Sequence, residues 1–321
     1  MITYVLFIIG FFVLIKSADL LVEGAASVAK KLNISKIVIG LTIVAFGTSA
    51  PEFIVNIFAS INGNTEIAIG NILGSNIANI FLILGISAII YPLVAKKNTV
   101  WKEIPLSLLA ALLLGVIAND ALIDGDTFSG LTRIDGLVLL SFFIIFLYYT
   151  FEIAGITDEN PIETELELKK FSYLKSFVFI ILGLIGLTLG GKWIVDGAVK
   201  IAESFNVSQS LIGLTVVAIG TSLPELATSA VAAYRKHADI AIGNIVGSNI
   251  FNIFWILGVS SLIRPLPFSA TSDIDIFMTI FASVVLFAIM FIGKKHTIDR
   301  WEGILMIAIY VSYVGFLIFT K

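Results

Sequence analysis

Two glutamates stand near the centre of apolar segments in this chain, and each directly follows a proline. Glu52 lies within GTSAPE, and Glu225 lies within GTSLPE. An acidic residue at the middle of a membrane helix costs about 2.5–3.5 kcal/mol on insertion scales, so two of them require compensation. A bound cation supplies it directly. A protonated glutamic acid bonded to a neighbouring helix is the alternative.

The prolines predict a break in each helix beside the acid. Pro51 and Pro224 lack an N–H, and their rings clash with the carbonyls of Gly47 and Gly220 four residues earlier. We therefore expect backbone oxygens without helical partners in these turns. Hydroxyl side chains occupy the same turns at Thr48, Ser49, Thr221 and Ser222. Carboxylate, hydroxyl and carbonyl oxygens together are the ligands that Ca2+ prefers.

A second polar motif, GNIxGSN, lies on the apolar segment that follows each glutamate. Its polar residues are spaced i, i+4, i+8 and so share one helix face. They are Asn71, Ser75 and Asn79 in the first copy and Asn244, Ser248 and Asn252 in the second. Stripes of small residues run beside them, at Gly70 and Gly74 and at Gly243 and Gly247. Such stripes allow close helix approach, so we expect each to pack against the glutamate helix of its own copy.

The composition predicts that these motifs lie in a membrane. Of the 321 residues, 58% are hydrophobic and 13% are charged, whereas soluble domains carry about 25% charged residues. Apolar runs of about 20 residues recur, each long enough to cross a hydrocarbon core of roughly 30 Å. The net charge of -3 does not favour nucleic acid. The absence of cysteine excludes disulfides and thiolate metal sites.

We therefore predict an all-α polytopic membrane protein with ten transmembrane helices, because a helix satisfies its own backbone hydrogen bonds in lipid. The apolar first run lacks a basic leader and is interpreted as the first helix, not a signal peptide. The ten predicted spans are 3–29, 36–62, 67–92, 103–119, 133–152, 173–202, 208–234, 239–263, 273–293 and 301–319.

Basic residues predict the orientation. Fourteen of the 20 Lys and Arg residues lie in the loops after odd-numbered spans, and four lie on the opposite side. Cytoplasmic loops carry the excess of positive charge. We therefore expect a multi-pass cell-membrane protein with both termini extracellular. The polar segment 153–171 is predicted to be a cytoplasmic linker between two five-helix halves, 1–152 and 172–321.

The two halves contain an internal repeat. Residues 40–85 align without gaps with residues 213–258, and 27 of the 46 positions are identical. A weaker match relates RIDG at 133–136 to RWEG at 300–303. Because each half has an odd number of spans, the second copy must be inverted relative to the first. Inverted repeats with interrupted helices are typical of secondary transporters, whose ion sites lie near the midplane.

With GTSAPE and GTSLPE each followed by GNIxGSN, the chain resembles the cation/Ca2+ exchanger superfamily over its whole length, most closely the prokaryotic Na+/Ca2+ exchangers. The resemblance implies alternating access, in which the first and sixth helices slide across the rest of the bundle. It also implies Ca2+ and Na+ as transported substrates, without a cofactor. The implied ligands are Thr48, Ser49, Glu52, Ser75, Asn79, Thr221, Ser222, Glu225, Ser248 and Asn252, with backbone carbonyls of Ala45 and Ala218 at flanking Na+ sites.

The resemblance also bears on the coupling ion. Relatives that also use K+, and some archaeal exchangers, carry Asp where this chain has Asn252, so the neutral Asn79 and Asn252 imply K+-independent exchange. Relatives that exchange H+ carry an acidic residue in the GN motif, where this chain has Gly-Ser-Asn, which implies Na+. Two carboxylates balance one Ca2+ or two Na+. The third Na+ of the family stoichiometry would make transport electrogenic.

Other functions remain open from the residues. An H+/Ca2+ antiporter would use the two glutamates as proton carriers, and another divalent ion such as Mn2+ is an alternative substrate. Mg2+ is disfavoured, since it demands tight octahedral geometry. A channel is harder to exclude, although the inverted repeat favours alternating access. An enzyme is disfavoured because the only histidines, His237 and His296, fall in predicted loops. Protein partners are not indicated.

Overall fold

The chain folds into long helices, with very short strands between some of them. A computed structural model describes residues 2–123, 125, 129–154, 171–204, 218–268 and 270–320. The helices of the first half are α1 (Ile2–Leu32), α2 (Lys36–Thr48), α3 (Ala50–Asn62), α4 (Thr65–Ile90), α5 (Thr99–Ile117), the short α6 (Asp120–Ile123) and α7 (Arg133–Ala154). Those of the second half are α8 (Tyr173–Ser204), the short α9 (Ala218–Thr221), α10 (Leu223–Tyr234), α11 (Ala238–Ile263), α12 (Ala270–Ile289) and α13 (Arg300–Thr320).

The helices confirm the prediction of an all-helical polytopic membrane fold. Within the described ranges, eight helices are long and apolar enough to cross a membrane, or nine if the bent α2–α3 pair counts as one span. The predicted span at 208–234 is described only from residue 218, as α9 and α10. Most of the predicted linker, residues 155–170, lies outside the described residues, as does 205–217.

Two helices form the centre of the bundle. In their most apolar windows, 94% of the residues of α11 and 78% of those of α4 are buried, against 17% in α13. Large apolar side chains such as Phe12, Ile144 and Leu174 point outward instead. The polar motifs therefore lie in the protein interior, and the periphery is suited to lipid.

The second half is inverted relative to the first, as the repeat predicts. Lys236, just before α11, places its Nζ 5.9 Å from the ring centre of Tyr91, just after α4. At the other end, the guanidinium of Arg264, just after α11, packs against Gly63, just before α4. The equivalent helices α4 and α11 therefore run antiparallel.

The outer helices α1 and α8 are also equivalent in the two halves, and they also run antiparallel. A Cβ placed on Gly10 would lie 3.0 Å from the Gly190 carbonyl oxygen, and one on Gly24 would lie 2.9 Å from that of Ser176. Ser176 Oγ also donates to Ser27 Oγ at 2.9 Å. These contacts show that α1 and α8 are antiparallel and pack closely along most of their length.

Two short antiparallel ribbons tie the halves together. Strand β1 (Leu93–Val94) pairs with β4 (Thr297–Ile298), and β2 (Gly130–Leu131) pairs with β3 (Leu266–Pro267). β1 follows α4 and β3 follows α11, so the two ribbons occupy equivalent positions in the repeat. Each ribbon joins one strand from the first half to one from the second.

The RIDG and RWEG motifs begin α7 and α13 and pack them across the halves. A Cβ on Gly136 would lie 2.8 Å from the Gly258 carbonyl oxygen on α11, and one on Gly303 would lie 2.6 Å from that of Gly85 on α4. The acid of each motif caps its own helix: Asp135 accepts the Thr132 N–H at 2.8 Å, and Glu302 accepts that of Asp299 at 2.7 Å. The weak repeat therefore reflects helix packing and capping.

Candidate ion-binding site

Both glutamate helices break beside the acid, as the prolines predict. α2 and α3 meet at an angle of 46°. Ser49 separates them with φ −81° and ψ 6°, and Ser222 separates α9 from α10 with φ −87° and ψ 6°. Glu52 and Glu225 each therefore lie in the first turn of a new helix, α3 and α10 respectively. A carboxylate is stabilised there by the helix dipole.

Each glutamate is hydrogen-bonded by the serine of the other half. Ser49 Oγ donates to Glu225 Oε1 at 2.9 Å, and Ser222 Oγ approaches Glu52 Oε1 at 3.4 Å. Both carboxylates are buried, with 1% of each residue exposed. Ser222 Oγ also lies 3.1 Å from Ser75 Oγ, and Ser248 Oγ lies 3.5 Å from Glu225 Oε1. Two halves thus build one site.

Four buried oxygen atoms of this region have no hydrogen-bond partner among the described residues. They are Glu52 Oε2, Glu225 Oε2, Asn79 Oδ1 and Asn252 Oδ1. An unsatisfied buried acceptor costs about 1–3 kcal/mol, and more when it is charged. The side-chain atoms available as metal ligands are all carboxylate, amide and hydroxyl oxygens, which suit a hard cation such as Ca2+ or Na+. The predicted residues therefore fit a cation substrate.

The two threonines are oriented by the first asparagine of the opposite half's polar stripe. Thr48 Oγ1 donates to Asn244 Oδ1 at 3.0 Å, and Thr221 Oγ1 donates to Asn71 Oδ1 at 3.2 Å. Thr48 Oγ1 also lies 3.3 Å from the Ala45 carbonyl oxygen, which belongs to the same turn. Ala218 is the first residue of α9.

Four polar residues near the site are missing from the sequence-predicted set. Asn56 Oδ1 accepts from Asn71 Nδ2 at 2.9 Å, and Ser229 Oγ accepts from Asn244 Nδ2 at 3.0 Å. Asn76 and Asn249 contact the site asparagines Asn252 and Asn79. Asn56 lies four residues after Glu52, and Ser229 four after Glu225, so their helical spacing was an available signal.

The prediction for the glycine stripe of α11 was wrong about the packing partner, whereas a Cβ on Gly70 or Gly74 of α4 would meet no described atom within 4 Å. A Cβ on Gly243 would lie 2.8 Å from the Ile37 carbonyl oxygen, and one on Gly247 would lie 2.8 Å from that of Leu41. Both contacts are with α2, which belongs to the other half. The polar stripe of α11 does face the glutamate of its own half, since Ser248 approaches Glu225. The two stripes of α11 therefore serve opposite halves.

The site asparagines lie in turns where the central helices change from α-helical to π-helical geometry. α4 contains a π-helical turn over Asn79–Leu84, and α11 contains one over Phe251–Leu257, which includes Asn252. Such turns occur frequently at functional sites because they shift the register of the side chains. Nothing in the residue spacing distinguishes a π-helical turn from an α-helical one.

Charged residues of α1 pair outside this site. Arg235, directly after α10, bonds to Asp19 through Nε and to Glu23 Oε1 through Nη1 at 2.9 Å. The Asp19 hydrogen bond raises the pKa of the Arg235 guanidinium above its usual range. These ion pairs join α1 to the end of α10.

Inverted halves, broken helices and a buried oxygen site at their interface define a polytopic membrane transporter of the secondary type. The profile of the sodium/calcium exchanger protein family matches residues 2–152 and again 175–319. The chain belongs to this family, and it is a cation/Ca2+ exchanger homologue, not an enzyme.

Relatives and solved structures agree. The chain is 34% identical to inner membrane protein YrbG of Escherichia coli K12, over 97% of this chain and 95% of the relative. It is 30% identical to sodium/calcium exchanger MaX1 of Methanosarcina acetivorans, over 98% and 97%. A structure of the sodium-calcium exchanger NCX_Mj, soaked with Na+ and Ca2+, superposes with a TM-score of 0.84 at 37% identity, covering 98% of each chain.

Proposed function

We propose that this protein is a K+-independent, electrogenic Na+/Ca2+ antiporter of the cell membrane. The observation that carries the proposal is the meeting of two buried carboxylates from opposite halves, each with an oxygen that has no described partner. Two carboxylates balance one Ca2+ or two Na+, so the same site accepts either load in turn. A third Na+ would leave the loaded site with a net positive charge.

The proposed ligands are the side-chain oxygens that the fold brings to the interface of the halves. They are Thr48, Ser49, Glu52, Ser75, Asn79, Thr221, Ser222, Glu225, Ser248 and Asn252, with the backbone carbonyls of Ala45 and Ala218 serving Na+. Neutral amides at positions 79 and 252 support K+ independence. In the described ranges, no group of three or more acidic, histidine or cysteine side chains is placed to hold a metal ion.

The proposed transport cycle is alternating access, with α1 and α8 sliding as a pair across the other helices. The tight glycine contacts between α1 and α8 support movement as one unit. We further propose that residues 1–152 and 172–321 act as two halves joined by the 153–171 linker. The Lys- and Arg-rich side, which includes that linker, would face the cytoplasm, and both termini would face outward.

The decisive experiment is 45Ca2+ uptake into proteoliposomes loaded with Na+, compared with proteoliposomes that hold a pH gradient and no Na+. We expect uptake to require internal Na+. We also expect valinomycin and external K+ to stimulate it by making the interior positive, because three Na+ leaving for one Ca2+ entering carry one net positive charge outward. Uptake driven by the pH gradient alone would replace this proposal by H+/Ca2+ antiport. Adding unlabelled Mn2+ as a competitor of 45Ca2+ measures the selectivity among divalent ions.

The Arg235 ion pairs provide a test of the sliding motion. Because they join α1 to the end of α10, movement of α1 must break or rearrange them. Arg235→Gln is expected to change the ratio of the apparent Ca2+ affinities on the two sides of the membrane by up to about tenfold, since half-exposed pairs contribute up to about 1 kcal/mol each. Arg235→Lys should change it less.

The matched control for this prediction is Lys294→Gln. It removes an ion pair with Asp299, at 3.4 Å, that lies within the connection between α12 and α13 and so does not join α1 to another helix. The affinity ratio is measured in proteoliposomes with Ca2+ added outside or loaded inside. An equal ratio in wild type, Arg235→Gln and Lys294→Gln would show that these pairs do not distinguish the transport states.

A further inference from the structure

Asn76 and Asn249 lie where the central helices α4 and α11 cross, and neither belongs to the proposed ligand set. Asn76 is 0% and Asn249 2% exposed. The Nδ2 of each donates to the backbone carbonyl oxygen of the other at 3.3 Å. We propose that these two residues are positioning residues that turn the amide oxygens of Asn252 and Asn79 toward the ion and keep both positions neutral.

The orientation of each amide follows from its acceptor. A backbone carbonyl can only accept, so the Nδ2 of Asn76 and of Asn249 must face it. Their Oδ1 atoms then point the other way and accept from the site asparagines. Asn252 Nδ2 donates to Asn76 Oδ1, and Asn79 Nδ2 donates to Asn249 Oδ1, both at 2.9 Å.

The amides of the site residues are therefore also fixed. With their Nδ2 atoms committed, Asn79 and Asn252 keep only their Oδ1 atoms for the ion, and these are the two amide oxygens without described partners. Every polar side-chain atom of Asn76 and Asn249 is used in this arrangement. Asn76 and Asn249 therefore determine which amide atom of Asn79 and Asn252 faces the ion, without contacting the ion themselves.

The same arrangement determines the charge of the site. A carboxylate at position 252 would place an oxygen against Asn76 Oδ1 at hydrogen-bond distance, with no proton between them. Rotating the Asn76 amide would present its Nδ2 to the new carboxylate, but its Oδ1 would then face the Asn249 carbonyl oxygen, which cannot donate a proton either. Asn76 therefore makes an acid at position 252 unfavourable, and Asn249 does the same at position 79. This specificity role rests on the proposed cation transport.

A double-mutant cycle tests the coupling. Asn252→Asp is expected to lower the apparent Ca2+ affinity about tenfold, because a buried acceptor loses its donor. Asn76→Ser alone should lower it severalfold. In the Asn76→Ser background, Asn252→Asp should restore affinity to at least that of Asn76→Ser alone, since a serine hydroxyl can donate to the new carboxylate.

The affinity is measured in detergent, as the Ca2+-dependent rise in melting temperature, and again by 45Ca2+ exchange. The equivalent cycle of Asn79→Asp with Asn249→Ser repeats the test if one variant fails to fold. Asn119→Ser is the matched control, because Asn119 Nδ2 donates to the Gly115 carbonyl at 2.8 Å, far along the chain from the site. It should not rescue Asn252→Asp.

The outcomes are distinct. Rescue by Asn76→Ser and not by Asn119→Ser supports the inference, because a purely structural role would make the two losses additive. Additive losses in a protein whose wild type responds to Ca2+ overturn this inference alone. A wild type that neither binds nor exchanges Ca2+ overturns the proposed function, and the inference with it.

Discussion

Replacing either Glu52 or Glu225 by glutamine is expected to reduce Na+-dependent Ca2+ exchange at least 100-fold. The amide keeps the size of the side chain and can still accept from Ser222 or Ser49 across the halves. It removes one of the two negative charges, so the site can no longer balance a divalent ion. Folding should persist, because a neutral side chain is less costly to bury than an unpaired charge.

Exchange is measured as 45Ca2+ uptake in proteoliposomes, and folding as the melting temperature in detergent without Ca2+. Glu103→Gln is the matched control. Glu103 is also 1% exposed, but it accepts from Tyr149 on α7 at 2.6 Å and has no described contact with the site. It should retain exchange within severalfold of wild type. Ca2+ flux that survives in both Glu52→Gln and Glu225→Gln would refute the site.

Gly247→Ala is expected to have the second largest effect, through packing and not through charge. The added Cβ would lie 2.8 Å from the Cα and the carbonyl oxygen of Leu41 and from the Cβ of Ala45. Backbone atoms cannot rotate away, so α11 and α2 must separate. Overpacking of this kind costs about 1–3 kcal/mol. Because α2 carries Thr48, we also expect at least a tenfold loss of apparent Ca2+ affinity.

The stability and the Ca2+ response of Gly247→Ala are measured by melting temperature with and without Ca2+. Gly315→Ala on α13 is the control, because no atom of the described chain lies within 4 Å of the Cβ that it would add. It should leave both quantities unchanged, or slightly raise the stability through better helix propensity. Equal behaviour of the two variants would mean that α11 and α2 do not need their close contact.

The inverted architecture and the position of the two glutamates of the candidate site were predictable from the sequence for one physical reason. Polar groups such as Glu52 and Glu225 at equivalent positions in apolar helices stand out because lipid penalises them strongly. The proline before each acid also carries a local rule, and the helix break at Ser49 follows it. These features depend on residues that are close in the chain.

Features that depend on the partner across the interface were not predictable in the same way. The glycine stripe of α11 is visible, but the repeat does not say that Gly247 meets α2 of the opposite half. The exchange of amide bonds between Asn76 and Asn249 needs the crossing point of α4 and α11. Arg235 pairs with α1 for the same reason, since its partners are more than 200 residues away.

The two β-ribbons constrain how the protein is made in the membrane. β1 and β2 are synthesised first, but their pairing partners, β4 and β3, belong to the second half. The first half alone therefore leaves the edges of both strands unpaired. Completion of the bundle is therefore a late event in biogenesis. Two separate copies of one half, inserted in opposite directions, would form the same two ribbons, as expected of an ancestor that assembled as a dual-topology dimer before its gene was duplicated and fused.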